Sequence, residues 1–195
     1  MEYEKYMLRA YELAVSAGKK GFETFGAILV HGGEILEEAE NTHDWQKGIF
    51  GHAEYNLVHK CAGKYPDSVL SESVLFTSCA PCERCLCSIA SLGVKQVVCG
   101  VSYKEFSKLL PFDHQPLDRE RILKQLGIEM KLIESVLEDE GMRRSGTGCC
   151  RCPERQRPAA RTAEQYGCGR GRSAAEWESG LRSSEPRRWA GCPYA

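Results

Sequence analysis

Residues 74–101 read VLFTSCAPCERCLCSIASLGVKQVVCGV. The stretch opens on six uncharged residues, VLFTSC (74–79), which fit a buried strand in length and in their β-branched and aromatic content. Pro81 then opens a helix running to Gly93. Proline is at home in a first helical turn, where its missing N–H has no partner anyway, and glycine is favoured just past a helix end. KQVVCGV (95–101) is a second apolar strand. Upstream, FGAILVH (25–31) and EILEEAEN (34–41) flank Gly32-Gly33, a hairpin signal. A polar loop, 42–51, leads to a helix beginning near His52 and ending by Gly63. Residues 2–18 place Tyr3, Tyr6, Met7, Ala10, Tyr11, Leu13 and Ala14 at helical spacing, with Gly18 and Gly21 as the stop. Downstream, DRERILKQLG (118–127) reads as a helix and IEMKLIES (128–135) as a last strand. Two strands followed by alternating helices and strands predict an α/β domain of three layers around a mixed sheet.

The formal net charge of −1 conceals a division. Residues 1–141 hold 11 Lys and 4 Arg against 22 acidic residues, whereas 142–195 hold 11 Arg, no Lys and 5 acidic residues. The balances are −7 and +6. Beyond Gly141 the periodicity ends and Gly, Pro, Ser and Arg dominate, a composition that cannot bury enough apolar surface to offset ordering entropy. The expected organisation is one folded domain over 1–141 and a disordered segment over 142–195, with no internal repeat. The N-terminus is charged and amphipathic, without the apolar core of a secretory signal. No run reaches the roughly 18 apolar residues that span a bilayer. A reducing, cytoplasmic setting is therefore expected for the 11 cysteines, and there clustered Cys more often binds metal than forms disulfides.

Three features call for a common explanation: His52-Ala53-Glu54 at one helix start, Pro81-Cys82-Glu83-Arg84-Cys85 at another, and a strand before each region. Cys82 and Cys85, three apart on a helix, project from one face. In a first turn they also feel the positive end of the helix dipole, which favours the thiolate that a zinc ion requires. His52 supplies a third ligand from a neighbouring helix start. Three protein ligands leave a tetrahedral position open, the mark of a catalytic rather than a structural zinc site. Glu54, two residues after the His ligand, can stand beside the metal without binding it, as the general acid/base. Two other readings remain open at this point. Cys82 and Cys85 alone fit a thioredoxin-like redox pair, which leaves His52 and Glu54 unexplained. Cys79, Cys82, Cys85 and Cys87 in a C-x₂-C-x₂-C-x-C run suggest an iron–sulfur or closed Cys₄ zinc site, although four thiolates around one helix turn are crowded. Cys61, Cys79, Cys87 and Cys99 also fit small buried residues.

The H-x-E…P-C-x-x-C pattern is that of zinc deaminases. From Phe25 to about Glu140 the chain resembles the zinc-dependent cytidine deaminase superfamily, most closely the branch of guanine, cytosine and tRNA-adenosine deaminases. The residues that carry this are FGAILV, Asn41, HAEYNLV, VLFTSCAPCERC, GVKQVVCGVS and VLEDEG. The resemblance implies a three-layer α/β/α cytidine deaminase-like fold with a mixed five-stranded sheet, one Zn²⁺ per chain, and a homodimer. It also implies that Asn41 hydrogen-bonds substrate, that Phe25 packs in the base pocket, and that backbone N–H groups near Ala53 and Cys82 contact the ring or developing charge. A turn residue at a strand end and plain core are the competing readings of Asn41 and Phe25. The sequence departs from similar enzymes at Ala80, where Glu is usual, and at Thr24, where Pro is frequent. It departs again near Gly141, where relatives continue into a helix that often carries a pocket-covering aromatic residue.

The implied activity is hydrolytic removal of an amino group from a small-molecule purine or pyrimidine base or nucleoside. A tRNA adenosine deaminase-like enzyme and a zinc-binding interaction module without an intact pocket lid are the alternatives. A nucleic-acid enzyme needs a basic stripe for phosphates, and residues 1–141 are acidic with Lys19-Lys20 as their only tight basic pair. Nucleic acid is thus the less favoured partner, and no membrane partner is expected. His43, Asp44 and Trp45, and the segment around Asp113 and His114, are further candidates for base recognition.

Overall fold

The computed structural model of the chain describes residues 3–43, 50–106 and 118–149, all within one compact unit, Met1–Arg151. Helix α1 (Tyr3–Lys19) leads into the strands β1 (Gly26–His31) and β2 (Glu34–Glu40). Helices α2 (Ala53–Cys61) and α3 (Asp67–Glu72) precede β3 (Val74–Cys79), α4 (Glu83–Leu92) and β4 (Gln96–Val101). The short α5 (Tyr103–Phe106), then α6 (Arg119–Gln125), β5 (Lys131–Ile133) and α7 (Glu138–Cys149), complete the order.

The five strands form one sheet in the order β2-β1-β3-β4-β5. β1 runs antiparallel to both β2 and β3, while β3, β4 and β5 run parallel to one another. The sheet is therefore mixed and five-stranded, as expected. Because side chains alternate across a strand, β1 feeds two cores. Ala27 and Leu29 join Leu57, Leu75, Ile89 and Val97 under α2 and α4, whereas Ile28 and Val30 join Tyr6, Met7, Ala10, Phe76 and Val98 under α1. Every residue of β3 is buried, which is why that segment reads as a continuous apolar run. Each fully buried Leu, Val or Phe is worth about 1.5–3 kcal/mol relative to exposure, so the two faces together hold the layers.

Local chemistry sets the joints. Gly32 and Gly33 have φ of +59° and +91°, the values of a type I′ turn, whose twist matches that of the flanking strands. Gly21, at φ +89°, ends α1 in a Schellman arrangement: the Phe22 N–H donates to the Ala17 carbonyl at 3.1 Å and that of Gly21 to Gly18 at 3.0 Å. Gly26 lies so close beneath α1 that an added Cβ would sit 2.3 Å from the Ala10 carbonyl oxygen.

Several boundaries differ from the sequence reading. Pro81 lies outside α4, because Cys82 is the N-cap. The last strand has three residues rather than eight. Helices α3, α5 and α7 were not expected. α7 carries helical structure past Gly141 to Cys149, where the composition predicts disorder. Its first turn is acidic (Glu138, Asp139, Glu140), which suits the helix dipole, and Arg144 bonds Glu140 four residues back at 2.6 Å. The remainder of the Arg-rich segment lies outside the described residues. Among the described residues, no helix is long and apolar enough to cross a membrane.

Candidate metal centre and active site

The two motif-bearing helices α2 and α4 pack against each other on one face of the sheet and present their N-termini together. His52 is the N-cap of α2 and Cys82 the N-cap of α4, both with extended backbone, and Cys85 lies one turn into α4. His52 Nδ1 is 3.7 Å from Cys82 Sγ and 3.5 Å from Cys85 Sγ, and the three ligand atoms all lie within 4.8 Å of one another. Zinc with Zn–N of about 2.0–2.1 Å and Zn–S of about 2.3 Å in tetrahedral angles separates N from S by roughly 3.6 Å. The set therefore fits that ion in spacing and in donor chemistry. Cys85 is buried while His52 and Cys82 are half-buried, so the set has an inner and an outer side.

Electrostatics agree with a ligand role. A hydrogen bond from Cys85, with His52 adding to it, holds the Cys82 thiol far below its ordinary range. The hydrogen bond with Cys82 together with burial pushes Cys85 up, as expected of two neighbouring sulfurs that share one proton. Among the described residues, His52, Cys82 and Cys85 are the group of three such side chains whose ligand atoms converge. Cys79 and Cys87 stand outside it, against a closed Cys₄ cage. Cys61, Cys79 and Cys99 are buried free thiols, and burial raises the pKa of all three.

Glu54 follows in the first turn of α2 and is only 5% exposed. Burial raises its carboxyl above the usual range, and the Thr77 hydroxyl, 2.7 Å from Oε1, works in the opposite direction. Ala53 beside it is completely buried. Asn41 is equally buried and stitches the entry of the site together. Its backbone N–H donates to the Phe25 carbonyl at 2.9 Å and its Nδ2 to that of Glu23 at 3.1 Å. Its Oδ1 accepts from the His43 amide at 3.3 Å. Asn41 therefore shapes the chain here as a turn residue does. Phe25 packs edge-on against Phe106 at 5.4 Å between ring centres and touches the buried cluster of Cys79 and Val101, to which Met142 of α7 also contributes.

His43 is buried, with its ring edge-on to His52 at 5.3 Å and its Nδ1 3.8 Å from the Glu23 carboxylate. It thus forms a wall of the centre rather than loop surface. Asp44, Trp45, Asp113 and His114 lie outside the described residues. Asn56 carries no motif signal of its own, yet its Nδ2 is within reach of the Glu40 and Gly51 carbonyls and the Thr42 hydroxyl at 3.0–3.1 Å. It ties both ends of the 42–51 loop to α2. Gly51 at φ +106° has no room for a side chain, since a Cβ would stand 2.8 Å from the His43 Cα.

Residues 1–101 match the family model described as the cytidine and deoxycytidylate deaminase zinc-binding region. The chain belongs to that family. Within it, the chain is 35% identical over 92 residues to a guanine deaminase of Bacillus subtilis, covering 46% of this chain and 58% of that one. It is 30% identical over 97 residues to the tRNA-specific adenosine deaminase of the same organism, covering 50% and 60%. The chain thus spans less than two thirds of the length of these curated relatives. A guanine deaminase from Nitrosomonas europaea shares the fold at TM-score 0.61 and 18% identity, over 75% of this chain and 84% of that one. At this identity the likeness is one of fold.

Proposed function

We propose that this chain is a zinc-dependent hydrolytic deaminase of a purine or pyrimidine base or nucleoside, with His52, Cys82 and Cys85 holding one zinc ion. The observation that carries the reading is the convergence of His52 Nδ1 and two thiolates within 4.8 Å, next to a buried carboxyl that is not one of the ligands. When bound, zinc supplies a water made nucleophilic near neutral pH. With the metal in place, Glu54 would accept a proton from the attacking water at its carboxylate and deliver one to the departing amino group; such transfer contributes about 10²–10⁴ in rate. A raised carboxyl pKa suits both duties, because a group that must take and give a proton works best when its pKa approaches the working pH. Thr77 steadies Oε1, and Phe25, held edge-on by Phe106, is the aromatic side chain proposed to pack against the base.

A small base or nucleoside is favoured over a polynucleotide because the fold-bearing residues 1–141 carry a balance of −7, unlike the basic surface that phosphate contacts require. The similarity to a guanine deaminase points the same way. The deciding experiment measures ammonia release from guanine, cytosine, cytidine, adenosine and tRNA, with the metal content of the same preparation. Release from one small substrate, abolished in Glu54→Ala, is the expected result. Release from tRNA alone favours the adenosine deaminase reading, and none from any substrate favours a zinc-binding interaction module. A homodimer belongs to the same proposal, and light scattering reads it.

A further inference from the structure

We propose that Thr77 is a positioning residue for Glu54, its hydroxyl fixing the carboxyl group to the strand that also leads to Cys82 and Cys85. The inference rests on the deaminase reading above. Thr77 is completely buried in β3, paired across to Ala27 on β1 and to Cys99 on β4. It is held by neighbours on both sides and so is a rigid platform. Its Oγ1 lies 2.7 Å from Glu54 Oε1 and 3.0 Å from the Cys79 carbonyl oxygen. The hydroxyl has one proton for these two acceptors, and the shorter contact, to Glu54 Oε1, is the one it serves best. It meets a need of Glu54, whose side chain has three rotatable bonds and belongs to a different element from the two thiols. Through this contact α2, which carries His52 and Glu54, is pinned at the reacting end to the strand whose extension carries Cys82. A misplacement of about 1 Å in a reacting group can cost roughly 10²-fold in rate, so a single hydroxyl at this junction has kinetic weight.

The test uses the full zinc-loaded chain, with Thr77→Val, which keeps the shape without the hydroxyl, and Thr77→Ser, which keeps the hydroxyl. Thr77→Ala replaces the first if Val disturbs the fold. For the substrate that the wild type turns over, Thr77→Val is expected to retain one zinc per chain and a KM within about twofold, with kcat lowered by about 10–100-fold. Thr77→Ser recovers most of that loss. A wild-type kcat in Thr77→Val, a defect confined to KM, or a Thr77→Ser as slow as Thr77→Val overturns the proposal. Crystal structures of the zinc-loaded variants give a second readout, independent of turnover. Glu54 is expected to stay in one position in wild type and Thr77→Ser and to leave it in Thr77→Val. An unmoved Glu54 in Thr77→Val overturns the positioning role. A wild type that deaminates nothing, with Glu54 displaced in Thr77→Val, overturns the enzymatic reading while leaving the positioning role standing.

Discussion

At the residue scale, the site has an outer and an inner side. His52 and Cys82 are partly open, whereas Cys85 and Glu54, at 2% and 5% exposure, lie behind them. Glu54→Ala should therefore keep one zinc and a native circular-dichroism spectrum while losing at least about 10²–10⁴ in turnover. Cys82→Ala removes one of the three proposed ligands, so metal analysis should find no zinc and calorimetry a lowered melting temperature. His52, Glu54, Cys82 and Cys85 were legible in the sequence because few contexts place those residue types at that spacing. Thr77 was not, since a threonine in a strand is ordinary for its β-branched shape, and nothing in the letters says that its hydroxyl reaches a helix 23 positions away. Asn56 was hidden for the same reason. His43, a candidate for base recognition from its place in a polar loop, is buried with its ring edge-on to His52, a contact that loop composition alone does not specify.

At the element scale, the exposed edge strand β2 is clamped by cations. Arg9 grips Glu38 with two bonds of 2.7 Å, and Lys64 and Lys20 reach Glu37 and Glu40. The hydrogen bond with Arg9 holds Glu38 below the ordinary 4.5, and that with Lys64 does so for Glu37. A carboxylate whose folded pKa is depressed contributes stability that is fully present above the unfolded value and is lost as pH falls through the folded one. Urea midpoints should therefore be level above about pH 5 and fall progressively below it, and Glu38→Gln should flatten that fall. The α7 joint offers a second test. A Cβ at Gly141 would meet the Tyr11 hydroxyl at 2.3 Å, and overpacking of this kind costs about 1–3 kcal/mol. Gly141→Ala should lower the unfolding free energy by that amount. Strands and long helices were legible because their apolar period is unbroken. The helices without a clear sequence signal are the four-residue α5, the six-residue α3, and the glycine-bearing α7, which tertiary contacts hold against its propensity.

At the scale of the whole molecule, the site spans two crossovers of one sheet, so binding of the proposed zinc would be thermodynamically linked to the fold. A ligand that binds only the native state adds RT ln(1 + [L]/Kd) to stability. Removing zinc with a strong chelator should therefore lower the melting temperature, and restoring it should reverse the change. The three-layer plan followed from alternation and punctuation, which are local. The pairing order did not, because it depends on contacts between distant segments. Tyr11 shows what such distance means. Its hydroxyl donates at the Val136 and Leu137 carbonyls, 125 and 126 residues downstream, and its ring fills the space left by Gly100 and Gly141. On a ribosome adding about 5–20 residues per second, those partners emerge roughly 6–25 s after the first helix. Through that interval the apolar side of α1, with Tyr6, Met7 and Ala10, waits without its full cover. The nascent α1 segment is thus a natural client for a chaperone that holds unfinished chains, and the cover over Tyr11 closes only once residues 136 and 137 have emerged.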